Sequence, residues 1–323
     1  MPWRRRQKEV AEVSAEAGDR CLFNAHNSWQ VLHGTHVFTL VLVQFLPLYG
    51  QRQPLRLRVS FFRIRWVERG EPVSSDAVVE DLRISALPLA ETAALICHNA
   101  GSVAAQNVFT LNLDHVVKMR KDAMFRSAYG RAGLITADGF PIALACSLQG
   151  KRVSRVAGSD LIVPISAEAA RSGKSVYLFG SSSQVLIEAS RLLQERNAGL
   201  TIAGVFAPPQ GFDPTSEDAR RCIVTIGNSG ADLCFVALGA PKQELFADYG
   251  KSLLPNTSFV CIGAGLDFIA GAQVRAPPWM QRWDLEWLWR AASDPRRLLY
   301  RYLLCMAVLP GILARAALVP RRR

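Results

Sequence analysis

From about residue 81 onward the chain alternates short, uninterrupted apolar runs with stretches of helical periodicity. Residues 90–99 read as a short helix and 107–112 (NVFTLN) as a strand. Residues 113–128 read as one amphipathic helix, with Val116, Val117, Met119, Ala123 and Met124 on its inner side. A further apolar run, 134–137, stops abruptly on Asp138 and Gly139. Gly158, Ser159 and Asp160 open a helix that reaches Ser172 and accommodates Pro164 near its start. Four more apolar runs follow, 176–179, 200–206, 233–238 and 259–262. Their turns are Gly180-Ser181-Ser182-Ser183, Pro-Pro-Gln-Gly, Gly239 to Glu244, and Gly263-Ala264-Gly265. Short strands buried on both faces, small-residue turns and intervening helices predict an α/β fold: a Rossmann-like, largely parallel sheet with helices on both faces.

The two ends of the chain differ from this pattern. Residues 1–80 combine an Arg-rich start (Arg4, Arg5, Arg6), an apolar run at 37–49 and the alternating basic segment LRLRVSFFRIRW. The apolar run has 13 residues, fewer than the ~20 that span a bilayer as a helix. The segment is expected to be a poorly ordered extension, or sequence upstream of the true start codon. Residues 81–272 form the α/β body, and 273–323 a C-terminal helical appendage in which four of the seven tryptophans fall within eleven residues. Residues 303–319 are apolar enough to tempt a membrane-spanning reading, but Pro310 and Arg315 interrupt them and favour a peripheral amphipathic anchor. The aromatics beside arginines suit either a cap on the sheet or a headgroup layer.

Charge sharpens this division. The chain carries a formal +11; residues 275–323 contribute +7 and residues 1–69 contribute +6, leaving the middle at −2. A neutral body with basic ends suits an anionic membrane surface better than nucleic acid. The seven cysteines form no CxxC pair and several lie inside apolar runs, as expected of reduced, buried thiols. Five scattered histidines and the absence of a DxD triplet predict no tightly bound metal.

Candidate chemistry centres on Asp138. A carboxylate delivered by a buried strand to the rim of a sheet sits where α/β proteins do chemistry, and loss of solvation raises its basicity. By itself the stretch reads first as an Asp-Gly turn. Two other motifs fail. Ser172-Gly173-Lys174-Ser175 resembles the end of a P-loop, but Glu168 stands where the first glycine belongs and the strand follows the motif. Gly263-Ala264-Gly265 opens like a dinucleotide fingerprint, yet Phe268 replaces its third small residue.

Eight short motifs in order change the reading: TLN (Thr110–Asn112), ADG (Ala137–Gly139), RVAGSDL (Arg155–Leu161), LGAPKQE (Leu238–Glu244), GAGLDFIAG (Gly263–Gly271), RAPPW (Arg275–Trp279), LEWLWR (Leu285–Arg290) and DPRR (Asp294–Arg297). Together, over roughly residues 83–303, they resemble the WecG/TagA/CpsF glycosyltransferase family. The resemblance implies an inverting transfer from a UDP-sugar to a polyprenyl-diphosphate-linked glycan. The donor would be N-acetylmannosamine-like, its uronic acid or another hexose. The setting would be the inner face of the cell membrane, in cell-surface polysaccharide, exopolysaccharide or teichoic acid synthesis.

It further implies Asp138 as general base, with Thr110, Asn112 and Gly139 beside it. Arg155 and Gln243 would line the pocket, and Arg290, Arg297 and Arg301 would belong to an appendage covering it; Gly180, Glu244, Asp267 and Arg275 complete the expected substrate-binding set. No cofactor is implied, the nucleotide sugar being a substrate, and a homo-oligomer is left open. Tyr300 stands where many members have another arginine. Plainer roles remain open for several of these residues: Arg155 salt-bridging Asp160, Gln243 capping its helix, Asp267 orienting a loop, Arg275 pairing with Asp284 or Glu286. A nucleotide-dependent oxidoreductase and a non-enzymatic basic membrane-binding module are the alternative functions.

Overall fold

The computed structural model describes residues 76–319 apart from 278–279, 281–285 and 294, together with four strands ahead of them. The chain divides into two compact units, Met1–Ser74 and Ser75–Arg323. In the first, β1 (Phe23–Asn24) pairs antiparallel with β2 (Ser28–Trp29), and β3 (Val37–Phe45) pairs antiparallel with β4 (Leu57–Arg65). Residues 37–45 of the apolar run and 57–65 of the alternating basic segment are thus paired strands; the rest of both, like the Arg-rich start, lies outside the described residues.

The second unit opens with a short hairpin, β5 (Ala77–Val79) and β6 (Leu82–Ile84), whose first strand precedes the expected body start at Asp81. Ala77, Val79 and Ile84 are buried, so these residues belong to the core. Three-residue strands are too short to show an alternation in sequence. After α1 (Leu89–Asn99), six strands form one parallel sheet: β7 (Asn107–Leu111), β8 (Leu134–Ala137), β9 (Ser175–Gly180), β10 (Thr201–Phe206), β11 (Leu233–Ala237) and β12 (Ser258–Cys261). Their order is β10-β9-β11-β12-β7-β8, every neighbouring pair parallel.

The apolar runs resolve into two faces by strict alternation. Phe109, Leu111, Tyr177, Phe179, Cys234, Val236, Phe259 and Cys261 point into one core. Val108, Val176, Leu178, Leu233, Phe235 and Val260 point into the other. The first core is covered by α2 (Leu113–Met119), α3 (Ala123–Gly130), α4 (Phe140–Leu148), α7 (Glu217–Asn228) and α8 (Lys242–Leu253). The second is covered by α1, α5 (Gly158–Ser172), α6 (Ser183–Arg196) and α9 (Gly265–Ile269).

The single helix predicted over 113–128 is two helices. Asp122 accepts a hydrogen bond from the Phe125 N–H at 3.0 Å and so caps a new helix, α3, in place of continuing α2. This break turns Tyr129 back beneath β7. At the C-terminus, α10 (Glu286–Ser293) leads to α11 (Pro295–Leu318). Pro295 begins α11, where its missing N–H costs nothing, and Pro310 lies inside the same helix. Leu298, Cys305, Ile312 and Ala316 form a buried stripe along α11, which packs on α2 and α4.

One close approach fixes the second face. A Cβ on Gly158 would stand 2.5 Å from the Cys261 carbonyl oxygen and 2.9 Å from Ile262 Cα, so only glycine lets α5 begin against the end of β12. Gly158→Ala is expected to lower unfolding free energy by about 2 kcal/mol or more, measured by urea denaturation, because the obstructing atoms are backbone.

Candidate functional site

In a parallel sheet every carboxyl end emerges at one edge. Here β7, β8 and β11 pass into α2, α4 and α8 on one face, whereas β9 and β12 pass into α6 and α9 on the other. Loops that leave neighbouring strands toward opposite faces open a crevice between them. The β9/β11, β11/β12 and β12/β7 junctions all have this form, and the predicted site residues of the body lie along this edge or directly beneath it.

Asp138 follows the last residue of β8, and its N–H donates to the Leu111 carbonyl at 2.8 Å, tying it to the end of β7. Gly139 has φ 93° and ψ 153°, a conformation open essentially to glycine alone, and this sharp turn lets α4 start directly behind the carboxylate. Asn112, next after β7, spends its two amide atoms differently. Its Oδ1 accepts the His115 N–H at 3.0 Å and caps α2. That choice aims its Nδ2 outward, where it donates to Asp138 Oδ2 at 3.1 Å. The cap therefore decides which end of the amide faces the carboxylate.

Beneath this pair lies a buried polar cluster. Thr110 is 4% exposed, and its carbonyl accepts the Tyr129 hydroxyl at 2.9 Å. The same hydroxyl lies 2.6 Å from His115 Nδ1, which is 4.0 Å from Glu244 Oε1. Gln243 Nε2 donates to Glu244 Oε1 at 2.8 Å, and Gln243 Oε1 accepts the Gly263 N–H at 3.0 Å. Gln243 and Glu244 are buried, so their visible work is to strap the β12–α9 turn from within; Glu244 Oε2 is enclosed with no hydrogen-bond partner. Burial pushes the Glu244 carboxyl up to about 7, and burial reinforced by Lys118 pushes His115 down to about 4. Both directions favour the neutral forms.

The arginines meet on a shared acid. Arg155 lies beside the end of β8, with Ala137 as its parallel bridge partner, and its guanidinium is 3.4 Å from Asp160 Oδ2. Arg275 approaches Asp160 Oδ1 at 2.6 Å and Glu286 at 3.4 Å, and lies over the Phe268 ring at 5.8 Å. Asp267 accepts the Ser181 hydroxyl at 2.7 Å and its carbonyl receives the Ala272 N–H at 2.9 Å, which orients both adjoining loops. Gly180, at φ 105°, brings its chain so close to β11 that a Cβ would stand 2.4 Å from the Ala237 oxygen. Among the described residues, no group of three or more His, Cys, Asp or Glu side chains is placed to hold a metal.

Residues 78–323 match the glycosyl transferase WecG/TagA/CpsF family. The chain belongs to this family. It is also 29% identical over 191 residues, covering 59% of this chain and 72% of the relative, to an N-acetylglucosaminyldiphosphoundecaprenol N-acetyl-beta-D-mannosaminyltransferase of Bacillus spizizenii. The protein is thus a glycosyltransferase, and the oxidoreductase and non-enzymatic readings fall away.

In this glycosyltransferase Arg275, Arg301 and Arg315 of the C-terminal segment pair with different acids of the body. Arg301 pairs with Asp114 of α2 at 2.9 Å. Arg290 lies in α10 and Arg297 in α11, but their side chains, like Trp279 and Trp283 as whole residues, lie outside the described residues. His115 and Tyr129 were missed by sequence reasoning. His115 had a readable signal, since it sits three residues after the Asn112 cap; Tyr129 had none, because its approach to β7 depends on the break between α2 and α3.

The buried acid gives a pH signature. Glu244 has its folded value raised from 4.5 to about 7, so the stability it contributes is present below 4.5 and is lost as pH rises through 7. His115, lowered from 6.5 to about 4, acts in the opposite sense, contributing above 6.5 and losing its contribution as pH falls through 4. Glu244→Gln removes the first effect only. Its melting temperature relative to wild type is expected to rise, by on the order of 5 °C, between pH 5 and pH 8 in thermal scans.

Proposed function

We propose that this glycosyltransferase moves a sugar, N-acetylmannosamine-like or a related hexose, from a UDP-sugar to a polyprenyl-diphosphate-linked glycan, with Asp138 as general base. The observation that carries the reading is the Asp138–Asn112 pair at the carboxyl edge of the sheet in a chain of this family. The Bacillus spizizenii relative, by its name an N-acetylmannosaminyltransferase acting on N-acetylglucosaminyldiphosphoundecaprenol, supports the acceptor class.

The chemistry asks for few groups. As the acceptor hydroxyl oxygen bonds to the sugar anomeric carbon, its proton passes to an Asp138 oxygen and the bond to the nucleoside diphosphate breaks on the opposite side. The product is inverted and UDP departs with its negative charge. Asn112, donating to Oδ2 at 3.1 Å, holds the carboxylate in one orientation toward the incoming hydroxyl. Departing diphosphate is stabilised by positive groups at this edge. Arg155 is one, and the N-terminus of α6, behind Gly180 and Ser181, presents backbone N–H groups as another. Thr110, Gln243, Glu244, Asp267 and Arg275 support the pocket from beneath and beside, and Arg290, Arg297 and Arg301 are assigned to the lipid-diphosphate side.

Membrane contact at the inner face of the cell membrane belongs to the same reading. Tyr300–Leu318 is long and apolar enough to cross a bilayer by length and composition, but its inner stripe is packed on the body. It exposes Tyr300, Leu303 and Met306 on a helix that also carries Arg301 and Arg315, the composition of a surface-lying helix.

The first test is UDP release from a panel of UDP-sugars, with and without a short-chain polyprenyl-diphosphate-N-acetylglucosamine acceptor. Acceptor-dependent release from one donor, reduced about 10²- to 10⁴-fold in Asp138→Asn while donor binding persists, is expected; full activity in that variant overturns the base assignment. For the membrane, Leu303→Glu combined with Met306→Glu is expected to reduce co-sedimentation with anionic vesicles severalfold, with turnover of a detergent-soluble acceptor kept. Unchanged vesicle binding overturns the helix assignment.

A further inference from the structure

The Tyr129 hydroxyl carries one proton and touches two groups. One of them, the Thr110 carbonyl at 2.9 Å, can only accept. The other, His115 Nδ1 at 2.6 Å, must therefore donate for both contacts to be hydrogen bonds, which places an imidazole proton on Nδ1, while burial, pushing the ring's pKa down to about 4, favours its neutral form. His115 is at the same time the residue whose N–H is capped by Asn112 Oδ1 at 3.0 Å. Its ring and its backbone are consequently held from opposite sides, the ring by α3 and β7, the N–H by the side chain that contacts Asp138.

The chain of contacts is continuous. It runs from Thr110 in β7 to the Tyr129 hydroxyl, to the His115 ring, through the first turn of α2 to the Asn112 amide, and ends at Asp138 Oδ2, 3.1 Å away. Tyr129 and His115 are each nearly fully buried. Tyr129 is packed edge-on against Phe109 and Phe125, both with centroids 5.2 Å away, so the phenol has no room to swing out of line.

We infer that His115 and Tyr129 are positioning residues for the transfer reaction, locking the first turn of α2 so that Asn112 presents its amide hydrogen, in one fixed direction, to Asp138. This rests on the reading of Asp138 as base. Groups facing the pair from neighbouring elements are Glu244 on α8, Cys261 on β12, Asp114 and Lys118 on α2, Asp138 after β8 and Arg301 on α11. Among them Glu244, 4.0 Å from His115 Nδ1, has its charged form disfavoured by burial, which weakens its pull for a second proton on the imidazole.

The test is a double-mutant cycle read with the donor and the acceptor that give UDP release. Tyr129→Phe keeps the ring and its edge contacts and deletes only the hydroxyl. It is expected to lower kcat about tenfold with KM for both substrates within about twofold. In an Asn112→Ala background the same substitution is expected to cost nothing further, because the amide it positions is gone. His115→Asn, which sets a polar atom near the Nδ1 position, is expected to restore most of the kcat lost in His115→Ala.

Full kcat in Tyr129→Phe, or an equal loss with and without Asn112, overturns the inference and leaves the pair as core packing. The reading of Asp138 fails separately, by activity in Asp138→Asn, whatever Tyr129 does. A measurement that needs no substrate accompanies these. Long-range ¹H–¹⁵N spectra of the full chain are expected to show His115 as the Nδ1–H tautomer, still neutral at pH 5. An Nε2–H tautomer, or a charged ring at pH 6, overturns the geometry on which the inference stands.

Discussion

A parallel sheet buried on both faces is the constraint from which the rest of this structure follows. Residues of β7, β9, β11 and β12 point alternately into two apolar cores, and little in either core can carry charge. Chemistry is thereby driven to the strand ends, where backbone N–H groups emerge and side chains meet water on one side. Asp138, Asn112, Gly180 and Gly263 occupy the first or second position beyond, or the last position of, their strands. Gly158 extends the same logic, since a helix that must begin against the backbone of β12 cannot carry a Cβ there.

The polar cluster of Thr110, Tyr129, His115, Gln243 and Glu244 is the exception within the first core, and its composition shows how an exception is tolerated. Charged, it would place an imidazolium and a carboxylate 4.0 Å apart at full desolvation cost on both sides. Neutral, its members satisfy one another through a phenol, an imidazole and two amides. Glu244 Oε2 is left over, enclosed without a partner, and it is the protonated carboxyl, not the carboxylate, that burial favours at such a position.

Much of the architecture was legible because it rests on period and punctuation. Apolar runs of four to seven residues, closed by turn-forming residues, marked all six sheet strands to within about a residue, and Asp138 was legible as the residue on which such a run stops. The hairpin at Ala77–Ile84 was not, its strands being too short to show a period, and the break at Arg120–Asp122 was hidden because the apolar spacing of α2 and α3 nearly matches that of one helix. The site divides in the same way. Asn112 and Asp138 are placed by strand ends, a local property, whereas the union of Arg155 and Arg275 on Asp160, 115 residues apart in the case of Arg275, is set by packing of α5 against β12. Gln243 was legible as important but not as buried, because a residue in the first turn of a helix can face either the pocket or the core.

Three acids of the body show how the basic C-terminal segment is seated. Asp160 holds Arg155 of the body and Arg275 of the segment; Asp114 holds Lys118 and Arg301; Glu80 holds Arg120 and Arg315. In each case one carboxylate is shared between a cation from the body and one from the segment. Half-exposed pairs of this kind contribute about 0 to 1 kcal/mol each, less than burial of any one of Leu298 or Ile312, at roughly 1.5 to 3 kcal/mol. The apolar stripe therefore supplies the affinity of α11 for the body, and it would tolerate sliding by a turn, since apolar contact is non-directional. Ion pairs at 301 and 315 do not tolerate it: a shift of one helical turn carries both arginines past their acids. The stripe holds the segment down, and the three shared carboxylates determine where.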